Sequence, residues 1–120
     1  MSAIPVPDFY ITQGNLLPEI EMQLDGAPGT PTFDLSTATV KFFMRPVDSP
    51  TVKINASATI TDATKRRVKY TWVGTDTDTQ GDYYAECEVT FSGGKKQTFP
   101  SGGLEDRDGF LLVRVKSKIA

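Results

Sequence analysis

Two groups of carboxylates are the first residues in this chain with the type and spacing for chemistry. Asp76, Asp78 and Asp82 stand close together, and so do Glu105, Asp106 and Asp108. Oxygen ligands at such spacing can bind calcium, and a close pair of carboxylates can hydrolyse a glycosidic bond. Neither group has the loop spacing of an EF-hand. In polar, glycine-rich stretches such residues form Asx-turns and keep sheet edges soluble, so no metal and no cofactor are expected. The chain has no histidine. Ser-His-Asp and Cys-His catalysis and HExxH metal chemistry all require one. The lone cysteine, Cys87, cannot form an intrachain disulfide, a zinc finger or an iron–sulfur site by itself. It falls in phase with apolar neighbours, which predicts a buried, inert thiol. No residue is assigned a catalytic role, and the chain is not expected to be an enzyme.

Charge narrows the partners. Lys and Arg number 13 against 15 Asp and Glu, for a formal net charge of −2. A nucleic-acid binder carries a basic excess to displace counterions. Lys65-Arg66-Arg67 and Lys95-Lys96 read instead as solvated turn and strand-end charge. No apolar run approaches the roughly 18 residues of a membrane span. The expectation is no nucleic acid and no membrane. Residues 1–7 have neither the basic start nor the apolar stretch of a signal peptide, which predicts synthesis and assembly in a cytoplasm.

The elements that position these residues are strands. At 120 residues the chain suits one domain. Alternation with period two dominates, and ten glycines and eight prolines punctuate it. Strands are predicted at 8–12, 18–24, 38–45, 52–54, 58–61, 66–72, 82–91, 95–99 and 110–116. Val40, Phe42 and Met44 share one face, with Lys41, Phe43 and Arg45 on the other. Val68, Tyr70 and Trp72 point inward. Tyr83, Ala85, Cys87, Val89 and Phe91 share a face, opposite Tyr84, Glu86, Glu88 and Thr90. One-sided strands of this kind must pair apolar face to apolar face, so the fold class is all-β, a sandwich of about seven to nine strands.

Thr79-Gln80-Gly81-Asp82-Tyr83-Tyr84-Ala85 makes the sandwich specific. It resembles the Asp-x-Gly-x-Tyr-x-Cys corner of immunoglobulin-like domains, with Gly81 at the turn and Tyr83 as the corner tyrosine, whose hydroxyl bonds back to upstream backbone. Ala85 replaces the cysteine, so the inter-sheet disulfide of antibody domains is missing. Trp72 lies before the corner and not on the third strand. The prediction is an immunoglobulin-like antiparallel β-sandwich, residues 9–120, preceded by an extended arm at 1–8.

From about Phe9 to Val115 the chain is similar to a narrower family: the immunoglobulin-like N-terminal domain of siphophage baseplate upper proteins, as a small stand-alone relative. The likeness runs in order through Ile11-Thr12-Gln13-Gly14-Asn15-Leu16-Leu17-Pro18, residues 34–45, Val68-Lys69-Tyr70-Thr71-Trp72, residues 76–83, residues 85–91 and Gln97-Thr98-Phe99-Pro100. Full-length members continue into helical and receptor-carrying segments, and the sequence here ends at Ala120 without heptads. Only the docking module's role is implied.

That resemblance implies a structural virion protein of a tailed phage, placed in the tail or baseplate, that binds other virion proteins. Copies of itself in a symmetric assembly are a further partner. The alternatives are a capsid or neck decoration protein and an adhesion or carbohydrate-binding module. The candidate interface is Ile4, Val6, Phe9 and Tyr10 of the N-terminal segment, with Phe43 and Tyr84 as an exposed aromatic pair flanked by charge.

Overall fold

In a computed structural model the protein is described at residues 7–24, 33–99 and 111–119. Its strands are β1 (Phe9–Thr12), β2 (Ile20–Gln23), β3 (Thr39–Pro46), β4 (Ile54–Ser57), β5 (Thr59–Asp62), β6 (Arg67–Tyr70), β7 (Gly81–Thr90), β8 (Lys96–Phe99) and β9 (Leu111–Lys116). No helix occurs among the described residues, and so none there is long and apolar enough to cross a membrane.

Alternation accounts for the burial. Along β7, Tyr83, Ala85, Cys87 and Val89 are buried while Asp82, Tyr84, Glu86 and Glu88 are not. Along β3, Val40, Phe42 and Met44 are buried and Lys41 is exposed. Fully burying a side chain such as Phe42 contributes about 2–3 kcal/mol. Phe42 stacks on Tyr70 with ring centres 4.7 Å apart, and Trp72 meets both rings edge-on. The indole also donates from Nε1 to the Pro18 carbonyl, 3.0 Å away, which ties the β6 end to the approach of β2.

The strands form two sheets. One has the order β1-β9-β7-β3-β4, with β8 also paired to β7; the other is β2-β6-β5. Their inner faces share one core, from Ile20 and Val68 on the small sheet to Phe42, Cys87 and Val113 on the large one. This is the immunoglobulin-like sandwich, with β9, β7 and β3 at the centre of the larger sheet. One pairing departs from the antiparallel expectation: β1 runs parallel to β9, Phe9 opposite Val113. Asp8 starts that ladder, since its amide donates to the Leu112 carbonyl and its carboxylate accepts from the Leu112 amide, both at 2.8 Å.

Strand placement also departs from the sequence reading at one point. The weak strand expected at 52–54 is β4, centred later. It belongs to the large sheet, and the chain crosses to β5 of the small sheet through Ala58 alone. Ala58 still donates to Val40, at 2.9 Å, which holds the crossing against β3. The strands expected at 95–99 and 110–116 are β8 and β9. β8 and β9 lie on the same side of β7 in series, Phe99 opposite Cys87 and Leu111 opposite Ala85. They are two halves of one strand position beside β7.

Candidate docking surface

The corner comes first because it sets the start of β7. Gly81 has φ +147°, a conformation side chains rarely adopt. Two residues on, the Tyr83 hydroxyl donates to the Thr79 carbonyl at 2.6 Å while its ring is buried. Burial raises the phenol's pKa. With the corner fixed, β7 pairs with β3 from Thr90 opposite Thr39 to Tyr83 opposite Pro46.

That register builds the outer face of the large sheet row by row. Tyr10, Arg114 and Asp82 form one row across β1, β9 and β7. Arg114 holds Asp82 through two hydrogen bonds, 2.7 and 3.1 Å, and its guanidinium lies 6.0 Å from the Tyr10 ring centre. The next row is Leu112, Tyr84 and Arg45. Arg45 lies 5.2 Å over the Tyr84 ring and donates to the Ser49 carbonyl at 3.0 Å. Then come Glu86, Phe43 and Asn55, and last Glu88, Lys41 and Ser57. Glu88 reaches Lys96 of β8 at 3.7 Å.

Three neighbouring side chains in the last two rows stand apart. Among the described residues Lys41 makes no ion pair, Phe43 meets no other ring and the Glu86 carboxylate accepts no hydrogen bond. Burial, then the like charge of Glu88, raises the Glu86 carboxyl above its usual range, and Arg45 opposes the shift. An apolar ring is thus flanked by an unpaired cation and a partly desolvated acid.

The predicted interface residues divide. Tyr10 is exposed, and it shares the outer face with Phe43 and Tyr84. Phe43 and Tyr84 are half-buried and do not oppose one another: Phe43 faces Glu86, and Tyr84 faces Arg45, so the aromatics are diagonal neighbours. The expected exposed pair is corrected to two rings each set beside a charge. Phe9 points the other way, into the core, with its ring 5.8 Å from Trp72, because adjacent residues of a strand take opposite faces. Ile4 and Val6 lie outside the described residues.

The first carboxylate group serves the fold. Asp76 accepts from the Tyr70 hydroxyl at 2.6 Å and the Val73 amide at 2.9 Å. Asp78 takes Lys53 at 2.9 Å and Thr79 at 3.0 Å, and Asp82 takes Arg114. Glu105, Asp106 and Asp108 lie outside the described residues. Cys87 is buried with its Sγ 3.7 Å from Met22 Sδ, and burial, then Glu86, pushes its thiol up to about 12.

One open cleft of about 300 Å³ sits at the seam between the sheets, lined mainly by Phe9, Ile20, Met22, Leu24, Phe99 and Val113. Of the carboxylates at its rim, Asp8 is occupied by the Leu112 amide. Sequence alternation shows which residues face out, but not that β9 inserts Arg114 and Leu112 beside β7. Leu112 is in the outward phase and yet buried, which no pattern signals.

Comparison of the chain with family models, with curated proteins and with solved structures gives no match.

Proposed function

We propose that this chain is a structural docking module of a tailed-phage virion, seated among tail or baseplate proteins through the outer face of its large sheet. The patch of Lys41, Phe43 and Glu86 carries the reading. Among the described residues Lys41 makes no ion pair, Phe43 meets no other ring and Glu86 accepts no hydrogen bond, on a face that also bears Tyr10 and Tyr84. Interfaces concentrate binding energy in a few large aromatic and arginine side chains surrounded by polar groups. The ordered likeness to the baseplate upper protein domain supports a placement in the tail.

The test is particle incorporation. Phe43→Ala combined with Tyr84→Ala is expected to keep the circular dichroism spectrum and lower the amount of protein on purified virions. Each side chain is worth about 1–3 kcal/mol if it is an anchor. Normal incorporation of the folded double variant would refute this face as the docking surface. Gold label on the head in place of the tail would reassign the chain as a decoration protein.

A further inference from the structure

At the β3–β7 seam the outer face carries two adjacent columns of opposite sign, with Arg114 of β9 and Lys96 of β8 beside the acidic one. β3 presents Lys41, Phe43 and Arg45, and β7 presents Tyr84, Glu86 and Glu88. The rungs are Lys41 with Glu88, Phe43 with Glu86 and Arg45 with Tyr84. A partner of a single charge sign suits one column and is repelled by the other. A second copy of this chain suits both, provided that its β3 lies over β7.

Only one symmetry does that. A two-fold axis between the faces and parallel to the strands exchanges left and right but keeps height. Lys41 of one copy then stands over Glu88 of the other, Phe43 over Glu86 and Arg45 over Tyr84. A two-fold across the strands keeps β3 over β3 and reverses it. Lys41 then meets Arg45, and Glu86 meets Glu86, which sets like charge against like.

We infer that the occupant of this face is a second copy of the chain, in an isologous pair whose two-fold axis runs along β3 and β7. The inference rests on the docking reading and names its partner. The unpaired groups gain most: Lys41 of each copy comes within one strand repeat, roughly 7 Å along the chain, of the unpaired Glu86 of the other. Phe43 of each copy is covered by the facing sheet. Face-to-face sheets pack with strands within about 30° of alignment, which moves the outer rungs by only a few ångströms and leaves long side chains in reach.

Analytical ultracentrifugation of the full chain tests it through a charge exchange. Wild-type protein is expected to show a concentration-dependent dimer that weakens as salt rises. Lys41→Glu alone and Glu88→Lys alone each set like charges across the two-fold, and each is expected to raise the dimer Kd about tenfold or more. Mixing the two variants is expected to restore association. In the mixed pair every cross-copy rung is again Lys over Glu, while the rung inside each chain stays like-charged. A mixture no tighter than the single variants would show that the charges act only within the chain and would overturn the inference. So would a wild-type protein that is monomeric up to about 1 mM, or a dimer indifferent to both variants. Failure here leaves the docking reading to its own test, because incorporation of Phe43→Ala, Tyr84→Ala is read on virions and not on the free chain.

Discussion

Tyr83→Phe removes one oxygen from the corner and leaves the ring in place. The hydroxyl donates to the Thr79 carbonyl at 2.6 Å, and the ring is 2% exposed, so phenylalanine fits the same site without a cavity. The lost term is one neutral hydrogen bond, net about 0.5–1.5 kcal/mol. Two effects set where in that range it falls. The bond is short and on a buried ring, which raises the cost. Thr79 itself is exposed, so water can take over its carbonyl, which spares the larger penalty of a stranded buried acceptor. The expected destabilisation is about 1 kcal/mol, or roughly 3–5 °C in Tm for a chain of this size. Urea titration followed by tryptophan fluorescence suits the measurement, because Trp72 is buried in the same core. The midpoint is expected to fall by about 0.5–1 M with the slope unchanged. A midpoint identical to wild type would refute the claim that this hydroxyl stabilises the corner. Tyr83→Ala calibrates the series, since losing a buried ring costs about 3–5 kcal/mol.

Two further outcomes follow from titratable groups on β7. Cys87, with its thiol pushed up to about 12, is expected to resist Ellman's reagent in the native protein and to react at once in denaturant. Equal labelling rates in both states would show that the strand opens freely. Glu86 binds a proton more readily folded than unfolded, so its contribution to stability falls as pH rises through the carboxylate range towards its raised native value. Glu86→Gln is therefore expected to melt above wild type near about pH 7, the gap shrinking towards about pH 3, where both forms are neutral. A gap independent of pH, read by differential scanning fluorimetry, would assign the effect to packing and not to charge.

Period-two alternation by itself determined the strands, their inward faces and the pairing of two one-sided sheets. Val40, Phe42 and Met44, or Tyr83 through Val89, can bury an apolar face only one way round, so local pattern and global burial agree. The corner was legible for the same reason. Glycine before a buried tyrosine is a local constraint, and Thr79, Gly81 and Tyr83 are close in the chain. Tertiary structure alone decided what depends on register between distant segments. Phe43 and Tyr84 share a face by sequence, but the β3–β7 register sets each beside a charge and makes them diagonal. Phe9 and Tyr10 are neighbours in sequence, and the parallel pairing of β1 with β9 sends one to Trp72 and the other to Arg114. The carboxylates at 76, 78 and 82 look like a cluster in sequence, and the fold gives them separate partners in Tyr70, Lys53 and Arg114. The last strand reads as two, and only its common neighbour β7 shows that β8 and β9 fill one position in a sheet. Alternation states which way a side chain points; only the pairing of strands far apart in the chain states what it meets there.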